Sequence, residues 1–286
     1  MHAAQKTKLI KPEFTMLRYR LTGLLVLLFL AVSMHAQELF IFSEPASNMP
    51  AKSLGIRASN WLMNDISEDK INYHFIPEVM LGLNNKLMLH AEGFFSNRNG
   101  GMSAEGAGIY IKYRFLSYDE IHRHFRMAAF ARASTNNGNI HQEEIMTNSH
   151  NTGYQLGIIG TELLHKTAIS TTVYYEQAYN NFGGNKFPDQ MANKAINYSV
   201  SFGRLIRPRH YIDYKQTNFN FMVEVLGQLL PENGKQYIDV APALQFIFNS
   251  QTRLDIAYKK ALYSNIQRTA PEGLLIRVEH LLFNVI

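Results

Sequence analysis

The chain has 286 residues, of which 46% are hydrophobic, 18% charged and 12% aromatic, with a formal net charge of +5 and no cysteine. The hydrophobic share is ordinary for a soluble domain, so composition alone gives no sign of a membrane protein. Five basic residues lie within the first 20 positions, so the net charge does not support nucleic-acid binding. The lack of cysteine excludes disulfides and thiolate metal sites.

The N-terminal segment has the pattern of a secretory signal peptide. Arg18 and Arg20 precede the apolar run 24–32, and Ala36 stands before polar residues. The run is about half as long as a membrane-spanning helix, which disfavours a membrane anchor. We expect a signal peptide over residues 1–36, in which residues 1–15 are a possible upstream start artefact, followed by a periplasmic lead-in over 37–52. This lead-in could plug a lumen or hang free.

Beyond this leader, apolar and polar residues alternate with the period of β-strands. Most of the segments are close to the length that a tilted strand needs to cross a bilayer. The alternation does not say which face points inward. The export signal and the small residues on the polar face favour an apolar exterior. The predicted strands are 53–60, 72–84, 86–96, 104–116, 124–134, 153–162, 167–178, 195–206, 217–228, 236–248, 252–262 and 273–286.

The connections tend to alternate in length along the chain. Those at 84–85, 163–166 and 249–251 are short, whereas those at 96–103 and 135–152 are long and polar. This sorting is typical of outer-membrane barrels, with both termini at the short-turn end. We therefore predict an all-β fold, a transmembrane antiparallel β-barrel of about 12 strands over residues 53–286, located in the bacterial outer membrane.

Two local features qualify this barrel prediction. Pro77 and Pro242 each remove a hydrogen-bond donor inside a strand, so we expect bulges there. The last predicted strand runs to Ile286, whereas the usual barrel-assembly signal ends in an aromatic residue. Because Phe283 stands three positions earlier, we expect somewhat atypical recognition by the barrel-assembly machinery.

The expected partners are this machinery, outer-membrane lipid, lipopolysaccharide and an unknown small solute, with no nucleic acid.

The hairpin from Pro77 to His90, with the following Phe94-Phe95-Ser96, resembles the first hairpin of transporter-like outer-membrane barrels without an assigned substrate. The resemblance extends over the chain after the leader as a strand pattern. The resemblance implies a transport function and no catalytic residues. It also implies a link to heavy-metal efflux, because some relatives are associated with heavy-metal efflux gene sets.

Charged residues on the polar strand faces are the candidate functional residues. They either brace a filled barrel or line a conducting lumen, because a charge facing lipid costs about 2–4 kcal/mol at the membrane midplane. In a conducting lumen, the basic residues of the fourth and fifth strands would face the acidic residues of strands nine to eleven across a transverse field. The predicted lumen-lining residues are Glu78, Glu92, Lys112, Arg114, Arg126, Arg132, Glu224, Asp239, Asp255, Lys259, Arg277 and Glu279.

Two other site types are weaker hypotheses. His122 and His124 in a turn, and His141, Glu143, Glu144 and His150 in the longest loop, have the chemistry of metal ligands, but loop histidines are usually solvated. His280 stands on an apolar strand face and is the best candidate for a lipid-acting enzyme, but it has no convincing serine partner. We therefore expect no metal, no cofactor and no enzymatic activity.

The resulting functional prediction is a passive channel or transporter for small polar or ionic solutes. The alternative is a closed structural barrel with a salt-bridged interior.

Overall fold

The computed structural model describes residues 40–65, 70–98, 100–209, 213 and 215–285. The predicted signal peptide lies outside these residues. In the described part of the chain, no helix is long and apolar enough to cross a membrane. The strands are β1 Ser53–Asp65, β2 Lys70–Gly82, β3 Leu87–Ser96, β4 Ser103–Asp119, β5 Arg123–Asn136, β6 Gly153–Leu164, β7 Thr167–Ala178, β8 Lys194–Arg207, β9 Asn218–Leu229, β10 Gln236–Phe248, β11 Thr252–Ser264 and β12 Glu272–Leu282.

The strands close into one antiparallel barrel in which each strand pairs with its neighbours in the chain. The barrel closes where β1 pairs with β12, in a register that runs from Leu54 opposite Leu282 to Asn64 opposite Glu272. Closure gives the first and last strands a hydrogen-bonding partner, so neither leaves an open edge. The prediction of an all-β, 12-stranded antiparallel barrel is confirmed.

The two faces of the barrel wall have opposite polarity. On β4, Ile109 and Ile111 on the outer face are 59% and 42% exposed, whereas Lys112 on the inner face is fully buried. On β8, Val200 is exposed and Ser201 is buried. An apolar exterior around a polar interior is the inverse of a water-soluble barrel and is the pattern of outer-membrane barrels. The protein is therefore an outer-membrane β-barrel.

The connections are mostly shorter at one end of the barrel than at the other. At the first end they span residues 83–86, 120–122, 165–166 and 249–251, with a longer one at 208–217. At the other end the described connections include the long ones at 137–152 and 179–193. The turn after β4 is shorter than predicted because β4 continues to Asp119.

Two predictions about strand details are wrong. The last strand ends at Leu282 and does not reach the final residue. Pro77 and Pro242 do not produce bulges. Each proline instead interrupts the ladder on the side where its missing N–H would donate, and the pairing resumes beyond it in the same register. Gly93 lies opposite Pro77, and a Cβ at Gly93 would be 3.6 Å from the proline ring.

Candidate functional site

Residues 40–50, here called the lumenal segment, lie inside the barrel. Phe40 and Ile41 are buried in an apolar cluster with wall residues that include Met222 and Leu275. At the other end of the segment, Met49 packs against Met80, Met88 and Leu281. Of the two arrangements considered for the lead-in, residues 40–50 therefore adopt the one that occupies the lumen.

One end of the lumenal segment is held by an acidic residue of β9. The Glu224 carboxylate accepts hydrogen bonds from the backbone N–H groups of Ile41, Phe42 and Ser43, at 2.8, 2.9 and 3.0 Å. The Ser43 hydroxyl donates to the same carboxylate at 2.7 Å and lies 2.8 Å from the Ser201 hydroxyl on β8. Glu224 is fully buried, so these donors satisfy a charge that water does not reach.

The middle of the segment is held by a basic residue of β4. Lys112 Nζ donates to the carbonyl oxygens of Pro45 and Ser47, at 2.6 and 2.9 Å. Glu44 forms an ion pair with Arg57 at 2.9 Å. Burial acts to raise the pKa of Glu44, but the nearby cations, led by Arg57 and Lys112, hold it well below the ordinary value. The segment thus places backbone N–H groups against the acidic Glu224 and carbonyl oxygens against the basic Lys112.

The loop at residues 137–152, here called the inward loop, enters the lumen from the opposite end. Ile145 exchanges two hydrogen bonds with the Gln228 side chain on β9, at 3.0 and 2.8 Å. The backbone N–H and the hydroxyl of Thr147 both donate to Glu176 on β7, at 2.7 and 2.9 Å. These contacts hold the loop across the barrel.

A buried arginine anchors the inward loop to the wall. Arg268, in the connection between β11 and β12, binds Glu144 of the loop at 2.8 Å and Asp239 of β10 at 2.6 Å. Burial acts to raise the pKa of Glu144, but the Arg268 guanidinium keeps it below the ordinary value. Burial acts to lower the pKa of Arg268, but Glu144 and Asp239 raise it above the ordinary value. Glu144 and Arg268 thus form a buried ion pair, and Asp239 binds the same guanidinium.

A cavity of about 200 Å³, here called the central chamber, separates the lumenal segment from the inward loop. The lumenal segment contributes residues 41–44 to its lining, and the inward loop contributes Glu144, Ile145, Met146 and Asn148. Every strand of the barrel adds at least one residue to the rest of the lining. A second cavity of about 50 Å³ shares Trp61, Glu144 and Lys259 with the chamber. The lumen therefore contains free volume between two chain segments that enter it from opposite ends.

The structure buries most of the predicted lumen-lining residues. Arg132 is partly buried and binds Glu92 across the chamber wall. Arg114 lies near the short turns and donates to the Asn85 carbonyl at 2.6 Å. The buried ones are Glu78, Glu92, Lys112, Arg126, Glu224, Asp239, Asp255, Lys259, Arg277 and Glu279.

The order of the strands predicts that Glu78 and Glu92 lie beside Lys112 and Arg114 of the fourth strand, and the observed charge pairs differ in detail. Glu78 pairs with Arg57 at 3.0 Å and contacts His90, and it does not pair with a residue of β4. Arg57 also binds Glu279 at 2.7 Å. The two walls of the expected transverse field are linked through the lumenal segment, since Lys112 and Glu224 both bind its backbone.

The histidines do not come together as ligands. Glu143 pairs with Lys235, and His150 accepts a hydrogen bond from Arg98 at 2.6 Å and stacks on His74. No group of three potential ligands is present in the described part of the chain. His280 is exposed on the barrel wall, and its Nδ1 lies 2.8 Å from the Thr252 hydroxyl.

Sequence reasoning missed a row of aromatic side chains inside the lumen. The ring centroids of Tyr110 and Phe130 are 5.4 Å apart, and those of Phe130 and Tyr174 are 5.7 Å apart. These residues occupy inward positions of β4, β5 and β7, so their strand parity was the available signal. Arg268 was missed because its connection has no regular pattern.

No protein-family model matches the sequence, and neither does any curated protein. Among solved structures, an outer membrane channel from Pseudomonas putida F1 superposes with a TM-score of 0.55 at 10% identity, covering 86% of this chain and 100% of the other. The NanC porin gives 0.47 at 12% identity, covering 80% and 98%. The KdgM porin gives 0.47 at 7% identity, covering 79% and 98%. The first of these similarities supports the fold assignment.

Proposed function

We propose that the protein is a passive channel for small polar solutes, which opens when the lumenal segment moves. The observation that carries this proposal is the central chamber, a polar space bordered by all twelve strands and lined at its two ends by chain segments. Wall side chains alone do not fill the lumen. Displacing a segment therefore extends an existing space, whereas opening a solidly packed barrel would require repacking its wall.

The proposal also covers the residues before the barrel and the partners of the barrel in the membrane. A signal peptide over residues 1–36 and a periplasmic position for residues 37–52 fit entry of the lumenal segment from the short-turn end. Insertion by the barrel-assembly machinery and contact with lipopolysaccharide complete the proposal, and they follow from residence in the outer membrane.

The proposal assigns no enzymatic activity to the chain. The Thr252–His280 pair is the arrangement nearest to a nucleophile with its base. In the described part of the chain, no carboxylate or amide hydrogen-bonds to His280, so the third member of a catalytic triad is not in place.

A closed structural barrel is the competing assignment, and buried ion pairs such as Arg57–Glu279 and Arg268–Asp239 favour it. Such pairs are weak evidence for a purely structural role, because apolar residues of similar volume often stabilise a protein equally well. Conductance therefore has to decide between the two assignments.

The deciding experiment records planar-bilayer conductance of the purified protein and of the Glu224→Gln variant. The amide keeps the shape of the side chain but removes the charge that three backbone N–H groups and the Ser43 hydroxyl bind. We expect the variant to spend at least 10-fold more time open, since a charge-assisted hydrogen bond contributes about 1.5–3 kcal/mol and about 1.4 kcal/mol is a factor of ten.

The matched control is Glu162→Gln, which removes a carboxylate from an exposed pair with Arg123. This variant should conduct like the unmodified protein. A barrel that folds but stays silent in both the unmodified and the Glu224→Gln form would contradict the channel assignment and favour the braced barrel.

A further inference from the structure

We infer that the central chamber binds an uncharged, polyhydroxylated ring molecule of the monosaccharide class. This inference rests on the proposed function and names a solute class for it. Three features of the chamber support it: a row of aromatic rings, buried polar atoms without partners, and lining charges that are already paired.

The aromatic row gives the chamber an apolar face. Tyr110, Phe130 and Tyr174 form the row, and all three line the chamber. Gly157 on β6 lies opposite both Phe130 and Tyr174, and a Cβ there would be 2.4 Å from the Cβ of Tyr174. The glycine therefore lets the rings meet over β6. The negative face of an aromatic ring attracts the weakly positive C–H groups of a saturated ring.

The same strands present polar atoms that lack partners. Tyr110 OH, Arg132 Nε and Thr172 Oγ1 are buried, and none of them has a hydrogen-bond partner in the described part of the chain. All three residues line the chamber. The Tyr110 and Thr172 hydroxyls both donate and accept, whereas Arg132 Nε only donates. A ligand hydroxyl can supply a partner for each of these atoms, because a hydroxyl both donates and accepts.

The charges around the chamber favour a neutral ligand. Six acidic and four basic side chains line it, so an anion meets a formal excess of negative charge. The charged groups are largely paired with one another: Arg132 with Glu92, Glu44 with Arg57, and Lys259 3.8 Å from Asp239. A charged ligand would have to break such pairs, which is costly in a buried site, and a neutral ligand leaves them intact.

The chain contains its own reporter for this site. Trp61 is the single tryptophan of the sequence and lines the chamber from β1, on the opposite side of the barrel from β7. Its ring contacts Phe42 of the lumenal segment, with centroids 5.2 Å apart. Occupancy of the chamber should change its fluorescence.

The test titrates the purified full chain in detergent with D-glucose, D-glucuronate and phenol and records tryptophan fluorescence. We expect a saturable response to glucose, and a response to glucuronate or phenol at least 10-fold weaker in affinity. Tyr110→Phe and Thr172→Val each remove one hydroxyl and should weaken glucose binding about 3- to 10-fold, the loss expected for one neutral hydrogen bond. Tyr113→Phe, which removes an exposed hydroxyl from the outer face of the same strand, is the control and should bind like the unmodified protein.

Several results would overturn the inference. Glucuronate binding as tight as glucose would exclude the neutral class, and phenol binding without glucose binding would exclude the polyhydroxylated class. Loss of glucose binding in Tyr113→Phe equal to that in Tyr110→Phe would place the ligand outside the chamber. A conducting protein with no fluorescence response would refute this site and leave the channel assignment standing. Glucose binding by a barrel that does not conduct would support this site and contradict the channel assignment.

Discussion

Arg268 illustrates how a single residue fixes the state of the lumen. Its guanidinium is the shared partner of Glu144 and Asp239, and all three side chains are buried. Replacing the arginine leaves Glu144 without its ion-pair partner and leaves Asp239 with Lys259, 3.8 Å away. Breaking a buried ion pair in this way costs about 3–5 kcal/mol, much more than the loss of an exposed pair.

We therefore expect Arg268→Met to release the inward loop and to lower the temperature at which the purified barrel loses its folded gel mobility. The control is Lys194→Met, which removes a cation from the partly exposed pair with Glu232 at the same end of the barrel. The control should unfold like the unmodified protein. Equal unfolding temperatures for Arg268→Met and the control would show that the buried cluster does not hold the loop.

At the scale of elements, the inward loop should respond to pH. His150 accepts a hydrogen bond from Arg98, which also binds Glu105, and it stacks on His74. Burial lowers the pKa of His150 well below its ordinary value, and the charges of Arg98, His74, His141 and Lys259 lower it further. As pH falls through the ordinary histidine range, a released loop takes up a proton that the docked loop resists, so docking weakens with acidification.

The expected result is faster proteolytic cleavage within residues 137–152 at about pH 5.5 than at about pH 7.5, after correction for the protease's own pH dependence. His150→Gln keeps an acceptor for Arg98 but does not titrate, so its two rates should lie closer together. If the variant retains the full pH difference, another group controls the docking.

The elements themselves could be predicted from the sequence, because strand parity places each residue inside or outside the wall. Parity assigned Lys112 and Glu224 to the lumen, where both are buried. Their partners could not be predicted, since Glu224 binds backbone groups more than 180 residues away in the lumenal segment. The inward course of residues 137–152 could not be predicted either. Its contacts with Gln228 and Glu176 join the loop to the wall, and no periodic pattern in the sequence indicates them.

At the scale of the whole molecule, a closed wall of twelve strands surrounds the lumenal segment and the inward loop, whose movement we propose opens the lumen. The lumenal segment and the inward loop contain no strand, and side chains of the wall hold both of them. Gly82 shows how closely the wall fits the segment: a Cβ there would lie 2.1 Å from the Pro50 carbonyl oxygen. The central claim is that the lumenal segment, and not the wall, decides whether the barrel conducts.

The most direct test of this claim ties the lumenal segment to the wall. The chain has no cysteine, and the hydroxyls of Ser43 and Ser201 lie 2.8 Å apart, so the double variant Ser43→Cys/Ser201→Cys should form one disulfide. Conductance is recorded in planar bilayers before and after reduction, with Ser43→Cys alone as the control. The account predicts a silent oxidised variant that conducts after reduction, and a control that reduction does not change. Equal conductance of the oxidised and reduced double variant would contradict it.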